Sequence, residues 1–184
     1  MVFPYVTWAL DFETAPELST AFLHWVSMEI LFSITFFLAH CTLHKVTFLY
    51  KYVHKVHHTF HESVGFAAQF AHPVEAGLAA FHILFAVVIV RPHFLTFLAF
   101  LFTRLVEIVD AHCGYEVPWN CLYPWSGFYP WGCGVRMHDY HHSHNRGCYG
   151  GGVLGIWDRI CGTDKDFREF ESRERTEVNR EKAK

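Results

Sequence analysis

The chain has 184 residues; 52% are hydrophobic, 18% are aromatic and 19 are Phe. That length suits one domain, and so Phe-rich a composition points to lipid contact rather than to an ordinary soluble core. The net charge of −3 with His neutral offers no basic face, so no nucleic-acid partner is expected.

Residues 1–20 form a short N-terminal segment. It is apolar at the start, lacks a basic n-region and is interrupted early by acids, so no cleavable signal peptide is expected. The first strong apolar run, Ala21 to Ala39, is nearly long enough to cross a bilayer, although His24 and Glu29 interrupt it. Residues 40–72 then turn polar and rich in His. A second run, Val74 to Val90, is closed by Arg91-Pro92, and a third extends from Phe94 to about Val109. The Arg-Pro pair breaks the helix, so runs two and three are expected to form a helical hairpin.

From Cys113 to Gly134 the chain is rich in Trp, Tyr, Pro and Gly, as suits a loop at the membrane interface, with Trp119, Trp125 and Trp131 as anchors. Those Trp residues, with Phe66 and Phe70, are also candidates for walling a substrate channel. Residues 168–184 form a charged tail, expected as a solvated helix or as disorder. The six cysteines, Cys41, Cys113, Cys121, Cys133, Cys148 and Cys161, contain no CxxC pair and are read as free thiols.

The 15 histidines carry the chemistry. Most fall in three clusters: His40-x-x-x-His44, His54-x-x-His57-His58 and His138-x-x-His141-His142. Positions i, i+3 and i+4 share a helix face, so each cluster can turn two or three imidazoles toward one locus. Neutral imidazole ligates iron, zinc and copper. Eight convergent histidines exceed what one metal takes and suit two. If each apolar run crosses the membrane, all three clusters fall on one side of it, provided that the Arg91-Pro92 turn lies on the other. His24, His61, His82 and His93 lie outside the pattern and are read as ordinary polar or interfacial residues.

HxxxH, HxxHH and HxxHH in this order resemble the fatty acid hydroxylase/sterol desaturase superfamily. The stretches GFAAQFAHPVE (65–75), RLVEIVDAHCGYEVP (104–118) and GIWDRICGTD (155–164) resemble its C-4 methylsterol oxidases and fatty acid hydroxylase domain-containing proteins. The resemblance covers about residues 25–167. It implies an all-α integral membrane helical bundle with a cytosolic His-rich cap holding a di-metal site, and a catalytic domain over residues 21–167.

It further implies a multi-pass monooxygenase of the endoplasmic reticulum membrane with two Fe ions and O2. Electrons would come from NAD(P)H through cytochrome b5 and its reductase, and the C-4 methyl group of a sterol would be oxidised. The family's ligands carry over to His40, His44, His54, His57, His58, His138, His141 and His142, with His112 of HCGY as the ninth. His72 of HPxE is a tenth candidate, either a ligand or the residue that caps run two. Glu75, Glu107, Asp110 and Asp139 are candidates for orienting the ligand histidines from behind. No catalytic residue is expected beyond the metal centre.

The chain departs from the family pattern in two places. A hydrophobic stretch usual before the first run is reduced to the weak segment at 1–10, and the third cluster continues as SHNRGCYG, closer to the fatty acid hydroxylase domain-containing type. A fatty-acyl or other lipid hydroxylase or desaturase is therefore the alternative on the same scaffold. A non-catalytic membrane protein that binds metal or sterol is the alternative of another class.

Overall fold

The computed structural model describes residues 15–61, 64–115, 134–150 and 155–184. Trp119, Trp125, Trp131, Cys121 and Cys133 lie outside the described residues, as do positions 1–14. Among the described residues the fold is all helical. The α-helices are α1 (Leu18–Lys45), α2 (Thr47–Tyr52), α3 (Pro73–Val90), α4 (Phe94–His112), α5 (Gly134–His144), α6 (Ile156–Cys161) and α7 (Lys165–Lys182). Two 3-10 turns, His54–Thr59 and Gly65–Gln69, join α2 to α3.

The first apolar run is part of a longer helix. α1 continues past Ala39 to Lys45 and so carries His40 and His44 on its last turns. α1 and α3 are each long and apolar enough to cross a membrane. At 1.5 Å per residue, the 18 residues of α3 reach about 27 Å. The expected turn is present, but α3 and α4 each pack more against α1 than against each other. α3 ends at Val90, Arg91 closes it in the left-handed conformation (φ 52°), and α4 starts at Phe94 with the His93 side chain accepting from the Leu95 N–H at 3.1 Å.

Burial in these three helices is inverted relative to a soluble bundle. Phe22, Leu38, Phe81, Leu84, Val88 and Phe102 are more than half exposed. Glu29, Ser33, His82, Thr96, Arg104 and Glu107 are buried. Apolar side chains outside and polar ones inside is the arrangement that lipid, not water, stabilises. Met28, Ala86, Val87 and Phe100 form the packed centre shared by α1, α3 and α4.

α4 differs from the other two because Arg104, Glu107 and Asp110 interrupt it. Arg104 donates to Glu29 of α1 at 2.8 Å and also pairs with Glu107. Its guanidinium lies 5.0 Å from the Phe32 ring centre and 5.8 Å from that of Phe100. One cation between two carboxylates thus fastens α4 to α1 from inside the bundle.

The second His cluster forms a 3-10 turn rather than an α-helix. Val53, Val56 and Thr59 are β-branched and favour α-helix weakly, and the segment is only six residues long. The charged tail is helical. α7 packs Phe167 into a small core with Met137, Tyr140 and Cys148, and Arg136 of α5 pairs with Glu174. Cys41, Cys113, Cys148 and Cys161 are free thiols.

Candidate metal centre

Nine histidines from four segments converge at one end of the bundle. They form two groups, in each of which the ligand atoms lie within 4.8 Å of one another. The first comprises His40, His44, His54, His58 and His141, and the second His57, His112, His138 and His142. Each HxxHH motif is divided between them. Its first and last histidines serve one group, and its middle histidine crosses to the other. The groups adjoin, with the His58 and His142 ring centres 4.6 Å apart.

The tautomers are fixed from behind. The Nδ1–H of His40 donates to the Tyr149 carbonyl (2.9 Å), that of His141 to the Gly147 carbonyl (2.6 Å) and that of His112 to the Ile108 carbonyl (2.7 Å). His57 donates to the Phe70 carbonyl (3.3 Å), and His54 to the Glu75 carboxylate (2.8 Å). A carbonyl can only accept, so the proton sits on Nδ1 and the Nε2 lone pair faces inward.

The inward atoms are close. His40 Nε2 lies 3.0 Å from His54 Nε2, and His44 Nε2 lies 2.9 Å from His54 Nε2. In the second group, His138 and His112 approach to 2.9 Å and His142 and His138 to 3.1 Å. Between His40 and His54 there is no proton to share, because each has placed its own on Nδ1. Two lone pairs at 3.0 Å repel unless a cation sits between them. Two nitrogens at right angles around a metal at about 2.1 Å are themselves about 3 Å apart, so the spacing is that of neighbouring ligands.

Burial also keeps these rings ready to ligate. Desolvation, followed by mutual repulsion among the histidines, holds His138 and His141 well below the ordinary imidazole value and brings His142 to about 2. His58 is lowered by the same causes in the same order. The five imidazoles of the first group exceed a structural zinc set, which closes at four, and neither group includes the Cys that such sets usually carry. The donors fit two transition metals of higher coordination number, such as iron.

His72 lies outside both groups. Its ring accepts from the Val74 N–H at 3.2 Å and caps α3, as the following Pro73 at the first helical position favours. Of the four carboxylates expected behind the ligands, Glu75 bonds a cluster histidine, and Glu107 pairs with Arg104. Asp110 and Asp139 are half-buried.

A cavity of about 300 Å³ runs from the histidines into the bundle. His40, His57, His112 and His138 form one end, and Phe32, Phe36, Ile83, Leu101 and Leu105 wall the rest, with Arg104 and Glu107 beside them. Phe66 and Phe70 are not part of that wall. They point outward, Phe66 being 87% exposed: Phe66 lies in the short Gly65–Gln69 turn and Phe70 just after it, and the turn buries Ala67 and Ala68 instead.

Two features behind the site were not visible in the sequence. One is the Glu29–Arg104–Glu107 group, signalled only by charges inside apolar runs. The other is Asp158, whose carboxylate accepts from the Tyr149 and Gly150 N–H groups at 2.7 and 2.6 Å.

The family model for fatty acid hydroxylase matches residues 25–163. The chain belongs to the fatty acid hydroxylase family. It is 35% identical over 134 residues to methylsterol monooxygenase 1 of Gallus gallus, covering 73% of this chain and 44% of that protein. It is 34% identical over 154 residues to methylsterol monooxygenase 2-2 of Arabidopsis thaliana, covering 80% and 56% respectively. A very-long-chain aldehyde decarbonylase of Oryza sativa subsp. indica is 34% identical over 166 residues, covering 83% and 60%. The chain thus spans about half the length of these curated relatives. No solved structure matches it.

Proposed function

We propose that this member of the fatty acid hydroxylase family is a di-iron, O2-dependent membrane monooxygenase that oxidises the C-4 methyl group of a sterol. The observation that carries this reading is the cavity, which brings an apolar channel in the lipid-facing bundle onto histidines of both groups. Ligand pockets of about 300–1,000 Å³ with apolar walls and few polar groups are usual for small-molecule sites. The methylsterol monooxygenase relatives support the sterol, and the family match over 25–163 supports a catalytic domain over residues 21–167.

In this reading the nine histidines hold two irons through Nε2. When bound, the irons supply the redox chemistry by which O2 attacks an unactivated C–H bond. One oxygen atom enters the C–H bond to give an alcohol. The other leaves as water, formed with two electrons drawn from NAD(P)H through cytochrome b5 and its reductase and with two protons from solvent. The protein contributes geometry. Glu75 holds the proton of His54 on Nδ1, backbone carbonyls do the same for His40, His57, His112 and His141, and the walls exclude water. We place the protein in the endoplasmic reticulum membrane with the histidines toward the cytosol, where the reductant is found.

Two measurements test this. Anaerobically purified protein should hold about two irons per chain, and His141→Ala should lower that content and abolish turnover. Iron-free wild type, or a fully metallated, active His141→Ala, would refute the metal centre. Expression in yeast lacking its own C-4 methyl oxidase should clear 4,4-dimethyl sterols. Failure to do so with iron bound would move the substrate to the acyl-lipid class, which the aldehyde decarbonylase relative favours.

A further inference from the structure

The stretch GIWDRICGTD takes no direct part in either histidine group, yet it holds a buried carboxylate, Asp158, at 0% exposure. Asp158 Oδ1 accepts from the Tyr149 N–H at 2.7 Å and from the Thr163 hydroxyl at 2.5 Å. Its Oδ2 accepts from the Gly150 N–H at 2.6 Å. The Cys148 N–H donates to the Thr163 carbonyl at 3.1 Å. Three bonds therefore fasten backbone 148–150 to residues 158 and 163, and the Thr163 hydroxyl ties those two residues together.

That short backbone segment, with Gly147 before it, supplies the Tyr149 carbonyl to His40 and the Gly147 carbonyl to His141. Both histidines belong to the five-histidine group. The loop has few ways to rest in this shape unaided. Asn145, Gly147 and Cys148 all take positive φ (56°, 66° and 56°), which disfavours Cys in particular. Strain of this kind persists where surrounding bonds impose it.

We propose that Asp158 is a positioning residue for the five-histidine group, acting through the 147–150 backbone to fix the rings of His40 and His141. The proposal rests on the metal-centre reading above. It assigns GIWDRICGTD the task of shaping one of the two sites and not the other. The backing of the four-histidine group comes from elsewhere, from the carbonyls of Phe70 and Ile108 to His57 and His112.

Asp158→Asn tests it. An amide offers one acceptor oxygen and places an NH2 against either the Tyr149 or the Gly150 N–H, so one backbone donor loses its partner. Loss of such outer support typically lowers metal affinity by about 10–100-fold. The full chain in detergent micelles is stripped by chelation and titrated anaerobically with ⁵⁷Fe(II), with Mössbauer spectra read at each step. Wild type should take two irons. Asp158→Asn should take one with unchanged affinity and the other about 10–100-fold more weakly. The weakened signal should be the one lost in His40→Ala and kept in His142→Ala.

Asp164→Asn is the control for a merely structural effect. Asp164 is equally buried but faces Arg168 (3.2 Å) rather than the loop, so both irons should remain. Thr163→Val, which removes only the hydroxyl donor to Asp158, should weaken the same iron to a smaller extent and serves if Asp158→Asn does not fold. Unchanged binding in Asp158→Asn and Thr163→Val, equal weakening of both irons, or the same selective loss in Asp164→Asn would overturn the proposal. Wild type that takes no iron would instead remove the metal centre itself and this inference with it.

Discussion

Arg104→Ala should be among the most destabilising single changes in the bundle. Arg104 and Glu29 are 7% and 5% exposed, and they meet at 2.8 Å between α4 and α1, with Glu107 on the same guanidinium nitrogen, Nη2. Removing the cation leaves two buried carboxylates facing each other in a region that lipid surrounds. Breaking a buried pair from one side costs about 3–5 kcal/mol because the remaining charge has no compensation. Glu29→Gln removes one of the two negative charges and leaves Arg104 balanced by Glu107. Its cost should stay nearer the about 1.5–3 kcal/mol of a lost hydrogen bond to a charged group. Replacing all three by apolar residues of similar volume should cost less than Arg104→Ala alone. The assay is reversible unfolding in mixed micelles, followed by helical circular dichroism. Arg104→Ala within about 1 kcal/mol of wild type, or Glu29→Gln costing more than Arg104→Ala, would refute the view that this group is a balanced internal charge.

Gly147→Ala should destabilise more than Gly162→Ala, as thermal unfolding would show. Both positions have positive φ (66° and 69°), but a Cβ at 147 would meet the Thr163 carbonyl oxygen at 2.5 Å whereas at 162 nothing lies within 4 Å. Gly162→Ala thus carries backbone strain of about 1–2 kcal/mol, and Gly147→Ala carries that and a backbone clash. Metal-stripped protein should lose stability as pH falls below about 6.5. His58, His138, His141 and His142 are held neutral in the fold by burial, while in the unfolded chain they protonate near the ordinary value of 6.5. The unfolded state therefore binds more protons below 6.5, and each such histidine removes up to about 1.4 kcal/mol per pH unit. A flat profile between pH 7 and 5 in chemical denaturation would contradict that sign. Glu75→Ala should lower iron affinity by about 10–100-fold through His54, measured by anaerobic titration, whereas His72→Ala should leave iron affinity unchanged.

Much of this fold is written in the sequence as punctuation. Arg91-Pro92 ends α3 and turns the chain into α4, and Pro73 starts α3 with His72 before it. The apolar runs set the lengths of α1, α3 and α4, so the histidines at their ends gather at one end of the bundle. What the sequence leaves open are relations between distant residues. Glu29 and Arg104 each read as a lone charge in an apolar run, and only packing of α1 against α4 makes them partners. Asp158 gave no sign of its role because the bonds that reach the loop go to backbone N–H groups of Tyr149 and Gly150, which carry no side-chain signature. Phe66 looked suited to a channel wall, but the turn from Gly65 directs it outward.

The division of each HxxHH motif follows from the same limit. In α5, successive residues turn by 100°, so His142 lies 40° from His138 and His141 lies 60° to the other side. The ring centres of His138 and His142 are 4.7 Å apart, and those of His138 and His141 are 5.7 Å apart. The i, i+4 pair therefore shares a site and the i+3 ring turns to a neighbouring one. In the 3-10 turn, His54 and His57 stand on one edge a full turn apart, with ring centres 5.6 Å apart, and His58 again pairs with His54 at 4.6 Å. Two different helical geometries thus give the same allotment. In the 3-10 turn the spacing alone would pair His54 with His57, so it is the packing of the segments that allots the rings and builds both sites from both motifs. A substitution in either HxxHH should then disturb both irons when the middle histidine and an outer one are changed together, and only one when a single ring is lost. Spectra of His57→Ala and His58→Ala should differ in which iron signal is perturbed, although the two residues are adjacent in the chain.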